Sequence, residues 1–406
     1  MKCGLLGEKL GHSYSPRIHS QLGDYAYDLY EKRPEELEDF LKNGDFTGLN
    51  VTIPYKKAVI PYCARLSETA QKLQSVNTLL RLPDGSLEGH NTDYFGFLTM
   101  LQGLTLAGKK ALVLGSGGAS NTAAVALRDQ RAQVVVISRK GENNYENLHL
   151  HRDAAVLVNA TPVGMYPNVG VAPLDIGQFP KLEAVLDVIY NPARTKLLQE
   201  AMALGIPVVN GLEMLVAQAQ KSAEIWTGVP MERQKTEEIL RLLRGQMENI
   251  VLVGMPGCGK SAVGRKLAQK TGLRFVDMDE EICRLAGISI PEIFAKQGEE
   301  AFRALETQIA AKLGKESGLV IATGGGCVTR AENEPLLRQN GTVFWLRRAL
   351  YKLPKAGRPL SQAGSLEEMY RRREPMYRQF ADFAIDNDGA AEKTVAEILE
   401  KRREAL

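Results

Sequence analysis

Along this chain short apolar runs of two to four residues keep returning, most of them closed by glycine or a small polar cluster and followed by a stretch of helical period. Lys110-Ala111-Leu112-Val113-Leu114, Val134-Val135-Val136-Ile137, Val156-Leu157-Val158, Ala184-Val185-Leu186 and Val208-Val209 form one series, and Ile250-Val251-Leu252-Val253 opens another that includes Leu319-Val320-Ile321-Ala322. Continuous apolar runs of this length suit strands covered on both faces, and strands alternating with helices predict α/β architecture with parallel sheets. Ligands then belong at the carboxyl ends of the strands. Before residue 104 the rhythm is less regular. Residues 2 to 6 read as a first strand, a helix is expected from Pro16, and Gly48 to Lys56 reads as a strand ending in proline, with Lys56 at its tip. Further helices are predicted from Leu212 to about Trp226 and from Met231 to about Leu243.

Composition refines this picture only slightly. With 406 residues, 44% hydrophobic and 24% charged, the chain can bury substantial cores in two or three domains. A net charge of +3 is small for that length, so neither a nucleic acid nor a membrane is an expected partner, while local basic clusters can still serve anionic metabolites. Five scattered cysteines (3, 63, 258, 283 and 327) lack metal-ligand spacing. Their odd number, with no signal peptide or long apolar span, points to free thiols in a reducing cytoplasm.

The chemistry centres on Gly254-Met255-Pro256-Gly257-Cys258-Gly259-Lys260-Ser261, which fits the phosphate-loop pattern G-x-x-x-x-G-K-[ST] at every fixed position, behind a strand and ahead of a helix. Glycines let the backbone wrap phosphates, the helix N-terminus favours anions, Lys260 adds a mobile positive charge and Ser261 can ligate Mg²⁺. Gly257, Cys258, Gly259, Lys260, Ser261 and Ala262 are the expected nucleotide contacts. Cys258 is also a candidate reactive thiol, because the field of the loop favours thiolate. Roughly 245 residues precede this site and call for a second activity.

That earlier stretch has its own glycine loop, Gly115-Ser116-Gly117-Gly118-Ala119-Ser120, between a strand and a helix, and about twenty residues later the next strand ends in Ser138-Arg139-Lys140. NAD sites carry an acidic residue there for the ribose 2′-OH; a basic cluster suits the 2′-phosphate of NADP.

Other polar groups are ambiguous one at a time. Ser13 and Ser15 flank Tyr14 and either bind a carboxylate or cap the following helix. Lys56 alone reads as solvated surface, and the groups around Asn77 and Asp93 read as turns or caps. Taken in order, Ser-x-Ser-Pro, Asn-Val-Thr-x-Pro-x-Lys, Val-Asn-Thr, Asn-Thr-Asp-x-x-Gly, Gly-x-Gly-Gly-Ala, Asn-Ala-Thr-Pro-x-Gly and Asn-Gly-Leu-x-Met-Leu-Val-x-Gln strongly resemble shikimate dehydrogenase, from residue 2 to about 240. The resemblance implies that Ser13, Ser15 and Thr52 bind the carboxylate side of the substrate and that Asn77, Asp93 and Gln218 hold ring hydroxyls. Tyr190 matches a substrate contact, Lys56 and Asp93 the catalytic pair, and Glu68, Val188 and Gly211 positions near the nicotinamide. The stretch 141–153 departs from the family, being short and rich in Asn and His where relatives carry another helix and strand. His149 and His151 are read there as surface residues and not as a metal pair.

Behind the phosphate loop, Asp277-Met278-Asp279 sets two carboxylates at alternate positions of a strand end, facing one way by strand periodicity or capping the next helix. Arg303 and Glu306 lie three apart on a helix, where surface pairing is the simple reading. Gly324-Gly325-Gly326 reads as a backbone-only loop that lets a substrate ring approach closely. With Arg358-Pro359-Leu360 and Arg373-x-x-x-Tyr377 this set closely resembles shikimate kinase over residues 248 to 406. By that resemblance Asp279, Arg303, Gly325 and Arg373 bind shikimate, Ser261 and Asp277 serve Mg²⁺, Lys260 and Asp279 act in catalysis, and Arg358 closes over the ATP phosphates. The segment from Arg347 to Gly357 looks trimmed, with Lys352 and Lys355 where relatives offer an arginine to the adenine, and the Asp386-Asn387-Asp388-Gly389 turn lacks the family's nearby proline.

The expectation is a bifunctional α/β enzyme. Residues 1–245 would form a two-lobed dehydrogenase (substrate lobe about 1–102 plus 210–245, Rossmann-like NADP lobe about 103–209), and residues 246–406 a P-loop kinase with a parallel sheet and helices on both faces. Its substrates would be 3-dehydroshikimate and shikimate, used with NADPH, ATP and Mg²⁺. The alternatives are a quinate-type dehydrogenase joined to a small-molecule kinase, and a protein that senses shikimate without turnover.

Overall fold

The computed structural model describes residues 1–11, 13–353 and 366–405. They gather into two compact units, one of Met1–Val163, Ala172–Tyr190 and Glu200–Leu240, the other of Gly164–Val171, Asn191–Gln199 and Arg241–Leu406.

The first unit holds two sheets. The first has strands β1 (Lys2–Gly7), β2 (Ala26–Glu31), β3 (Gly48–Val51), β4 (Cys63–Leu66), β5 (Thr78–Arg81) and β6 (Leu87–His90), ordered β2-β1-β3-β5-β6-β4. β1 runs parallel to both neighbours and β5 antiparallel to both of its own. The β5–β6 turn follows from Asp84-Gly85: Gly85 takes φ +84°, and the Asp84 carboxylate accepts the Ser86 amide at 3.0 Å. The helix Leu212–Thr227 anchors to this sheet through Trp226, whose Nε1 donates to the Leu79 carbonyl at 3.0 Å.

The second sheet comprises β7 (Lys110–Leu114), β8 (Gln133–Ile137), β9 (Val156–Asn159), β10 (Ala184–Asp187) and β11 (Val208–Asn210), all parallel, ordered β11-β10-β9-β7-β8. From β7 the chain steps one way to β8 and then crosses to β9 on the other side. A crevice therefore opens beyond the ends of β7 and β9, where doubly wound sheets take ligands.

The second unit is built on β12 (Asn249–Val253), β13 (Arg274–Asp277), β14 (Leu319–Ala322), β15 (Gly341–Arg347) and β16 (Phe383–Asp386), all parallel, ordered β13-β14-β12-β15-β16. β12 is central and buried at every residue, the outcome its apolar run predicts. Within this unit Arg194 donates to the Arg338 and Gly341 carbonyls at 2.9 Å each and pairs with Glu248 at 3.2 Å.

Four local expectations change. The strand from Gly48 stops at Val51, short of Pro54, which has no amide to donate; Tyr55 N–H turns back to the Thr52 carbonyl at 2.9 Å, and Lys56 follows that turn. Asp277 ends β13 and accepts the Asp279 amide at 3.0 Å, so Asp279 sits in the first turn of the helix Met278–Ala286 and not on the strand. The helix predicted to end near Leu243 spans Arg233–Met247 and runs through Gly245, leaving Glu248 alone before β12. Finally, His151 is buried, its Nε2 donating to Asn143 Oδ1 at 3.0 Å, whereas His149 is exposed as expected.

Candidate active sites

Asp93 opens the helix Asp93–Met100, where the positive end of the helix dipole favours a carboxylate. Lys56 Nζ donates to Asp93 Oδ2 at 2.5 Å, and Asn77 Nδ2 donates to Oδ1 at 2.9 Å. Asn77 in turn accepts the Thr92 amide at 2.7 Å. Its side chain is 4% exposed, so its visible work is to hold Asp93 and the loop before it. Beneath lies a polar layer that the sequence reading missed: Ser222 bonds Thr78 at 2.8 Å and Thr92 at 3.2 Å, and Asn50 donates to Ser222 at 2.8 Å. The Asn-Thr pairs of the motifs hinted at Thr78 and Thr92; nothing in the helix pattern marked Ser222. Through the Gln218 carbonyl, which accepts the Ser222 hydroxyl at 3.0 Å, the layer reaches the residue expected to hold a ring hydroxyl.

The serine loop resolves one ambiguity. Ser13 Oγ accepts the Ser15 amide at 3.2 Å, while the helix Ser15–Leu22 has Tyr14 as N-cap without a side-chain bond. Tyr14 meets Tyr190 edge-on at 5.9 Å, which brings Tyr190 against the loop that carries both serines. Thr52 lies at the end of β1, its Cγ2 2.8 Å from where a Cβ on Gly7 would be. Glu68 starts the helix Glu68–Leu73 behind Ser67 and is exposed.

Beyond β7, β8 and β9 a cleft of about 550 Å³ is lined by Gly115, Ser116, Gly117, Ser138 and Arg139, with Thr161 across from them. Gly118 and Ala119 form the first turn of the helix Gly118–Asp129 behind it, and Lys140 is exposed without lining it. Ser120 Oγ donates to the Gly115 carbonyl at 2.6 Å and so sets the loop's return. Tyr145, which the sequence reading passed over, also lines the cleft. It is presented by the Asn-rich segment, where Asn147 Oδ1 accepts the Asn144 amide at 2.8 Å and the Asn143 carbonyl accepts the Ser138 amide at 3.1 Å. Gly211 and Val188 are in close backbone contact: a Cβ on Gly211 would stand 2.0 Å from the Val188 carbonyl oxygen.

In the second unit a cleft of about 590 Å³ joins Gly257, Gly259, Lys260, Ser261, Ala262, Asp277, Asp279, Arg303, Gly325 and Arg373. Lys260 Nζ donates to the Gly254 and Met255 carbonyls at 2.7 and 3.1 Å. Ser261 Oγ donates to Asp277 Oδ2 at 2.6 Å; a hydroxyl and a carboxylate oxygen in contact are the hard donors that Mg²⁺ prefers. Cys258 does not line the cleft. Its side chain is fully buried in the apolar core, which argues against the reactive-thiol expectation. Ile290, Pro291 and Phe294, which no motif announced, make an apolar wall together with Phe302. Arg358 lies outside the described residues.

Arg303 is far from a surface pair. It is 5% exposed, donating to Glu306 at 2.7 Å and Glu299 at 3.1 Å; burial opposes its charge, yet the two carboxylates hold its pKa above the ordinary value. Arg373, 2% exposed, donates to the Gly325 carbonyl at 3.1 Å, and burial lowers its pKa. The three glycines gain a different explanation. A Cβ would meet Glu306 Oε1 at 2.5 Å on Gly324, Pro256 Cγ at 2.5 Å on Gly325, and Arg303 Nη2 at 2.2 Å on Gly326. They make room for the protein's own carboxylate, proline and guanidinium beside the cleft. Among the described residues all five cysteines are free, no cluster of His, Cys, Asp and Glu suits a metal ion, and no helix is long and apolar enough to cross a membrane.

Comparison with known proteins adds three family matches: the shikimate dehydrogenase substrate binding domain at residues 5–79, the shikimate 5′-dehydrogenase C-terminal domain at 211–241, and shikimate kinase at 256–403. A shikimate dehydrogenase (NADP(+)) of Clostridium perfringens is 36% identical over 265 residues, which cover 59% of this chain and 97% of that protein. The one from Archaeoglobus fulgidus is 36% identical over 268 residues, covering 59% and 98%. Among solved structures, a chorismate mutase/shikimate 5-dehydrogenase fusion protein from Clostridium acetobutylicum aligns with TM-score 0.57 and 38% identity over 60% of this chain and 96% of its own. Shikimate 5-dehydrogenase from Thermus thermophilus, in complex with NADP(H) and shikimate, aligns with TM-score 0.55 and 34% identity over 60% and 99%.

Proposed function

The chain belongs to the shikimate dehydrogenase family and continues into a shikimate kinase domain, and from that premise we propose how its two clefts act in succession on one ring acid. It is a bifunctional shikimate-pathway enzyme, an NADP-dependent dehydrogenase followed by an ATP-dependent kinase. In our reading the enzyme is cytoplasmic, residues 1–245 reduce 3-dehydroshikimate to shikimate, and residues 246–406 phosphorylate its 3-hydroxyl.

In the first reaction Ser13, Ser15 and Thr52 bind the substrate carboxylate, and Tyr190 and Gln218 complete the cradle. Gly115, Ser116 and Gly117 would hold NADPH, with Ser138 and Arg139 for its 2′-phosphate, and the cofactor would supply the hydride. Negative charge then grows on the carbonyl oxygen. Lys56 stabilises that charge and donates the proton, and Asp93, held by Asn77, orients both the lysine and the ring. The 2.5 Å Lys56–Asp93 pair is the observation that carries this assignment.

In the second reaction Arg303 and Arg373 hold the shikimate carboxylate, a geometry suited to guanidinium forks, and Asp279 orients the attacking hydroxyl. Ser261 and Asp277 would hold Mg²⁺, which when bound neutralises charge shared by the phosphates. Lys260 and Arg358 stabilise the transferred phosphoryl group. Support comes from the meeting of all the described groups in one cleft.

Separate assays of the purified chain test the reading: NADPH oxidation with 3-dehydroshikimate, and ADP formation with shikimate. Lys56→Ala is expected to lower the first rate by about 10²–10⁴-fold and spare the second, as removal of a general acid does. Lys260→Ala should do the converse. Loss of both activities from either change would refute two independent centres.

A further inference from the structure

Three cations follow one another along and just past the end of β15, and they meet different fates. Arg347 pairs with Asp386 at 2.9 Å, and Lys352 pairs with Asp388 at 3.6 Å and donates to its carbonyl at 3.0 Å. Asp388 also accepts the Ala349 amide at 2.9 Å. Both carboxylates of the 386–389 turn are thus engaged. Arg348, between these cations, makes no ion pair among the described residues, and its Nε is buried without a hydrogen-bond partner. Its Nη1 lies 3.8 Å from where a Cβ on Gly259 would stand, beside the last glycine of the phosphate loop. The intervening group is neutral: Asn387 donates to the Cys258 carbonyl at 2.6 Å and accepts from Thr394 Oγ1 at 2.7 Å, so it braces the loop and offers Arg348 no charge.

A guanidinium that is partly desolvated and lacks a carboxylate is costly unless an anion arrives, and the neighbouring loop has the backbone geometry of an anion site. We infer that Arg348 is a ligand of the nucleotide's phosphates, reaching them from the Gly259 end of the loop while Lys260 serves the Gly254 end. This rests on the reading of the loop as the ATP site. It would give this chain, within its first few residues after β15, an arginine for the triphosphate in addition to the one expected at Arg358.

The test uses the full chain carrying Arg348→Gln or Arg348→Lys, with inorganic tripolyphosphate and adenosine as separate calorimetric probes. Charge-assisted hydrogen bonds of this kind predict a rise of about 10–100-fold in the tripolyphosphate Kd and the KM for ATP of Arg348→Gln. Arg348→Lys should be affected less. Adenosine affinity, the KM for shikimate and the dehydrogenase rate should not move, and the first two also report that the unit carrying Arg348 has folded. Unchanged tripolyphosphate binding in Arg348→Gln overturns the inference. So does a loss confined to adenosine, which would place the guanidinium against the base. Failure of the unaltered chain to bind tripolyphosphate would instead sink the ATP-site reading itself.

Discussion

Asn77, expected from its motif to hold a ring hydroxyl, also has a task inside the protein. Its amide is committed to Asp93 and Thr92 at 2.9 and 3.1 Å, so Asn77→Ala removes a support of the catalytic carboxylate as well as any ring contact. A hydrogen bond to a charged group is worth about 1.5–3 kcal/mol, so the dehydrogenase kcat/KM should fall about 10–100-fold with the kinase unaltered. An unchanged rate would mean that Lys56 alone positions Asp93. His19 supplies the pH test. It is fully buried, stacked on Tyr27 at 4.1 Å and Trp226 at 5.2 Å, and burial pushes its pKa from 6.5 down to about 3. Since the folded value lies below the unfolded one, the neutral ring's contribution is complete above about pH 6.5 and is lost as pH falls toward 3, at about 1.4 kcal/mol per unit. Denaturant melts between pH 7 and 4 should show that slope, flattened in His19→Phe.

Among the elements, helix pairing in the second unit depends on a missing side chain. Gly314, near the end of the helix Ile290–Lys315, would place a Cβ 1.8 Å from the Leu336 carbonyl oxygen on the helix Asn333–Arg338. Backbone cannot rotate away as a side chain can. Gly314→Ala should therefore cost about 1–3 kcal/mol by forcing the helices apart, read as a lowered denaturant midpoint for the kinase unit; full stability would show that the pair has slack. The same long helix bends at Gly298, whose φ of 81° is outside the helical region. That break separates the apolar wall at Phe294 from Arg303 and Glu306. Helical periodicity alone would run one straight helix through both and does not foresee the division.

The molecule as a whole should unfold in two steps, because its contacts gather into two units. NADP⁺ at a hundred times its Kd should raise one transition by about 2.7 kcal/mol and leave the other, with ADP acting on the second. One transition raised by either ligand would show that the units melt together. Much of the architecture was legible beforehand: the two parallel sheets, the phosphate loop, the glycine loop and the shikimate dehydrogenase and kinase families follow from short apolar runs, glycine placement and ordered motifs. These are properties of neighbouring residues, set by backbone propensity and local geometry. Tertiary structure decided which distant groups meet. It set Ser222 under Thr92, Tyr145 in the first unit's cleft, Arg348 and Asn387 at the phosphate loop, and Cys258 in the core instead of at a reactive surface. It also turned the three glycines toward the protein's own carboxylate, proline and arginine. Such meetings depend on packing between elements far apart in the chain, and no local pattern of residues encodes them.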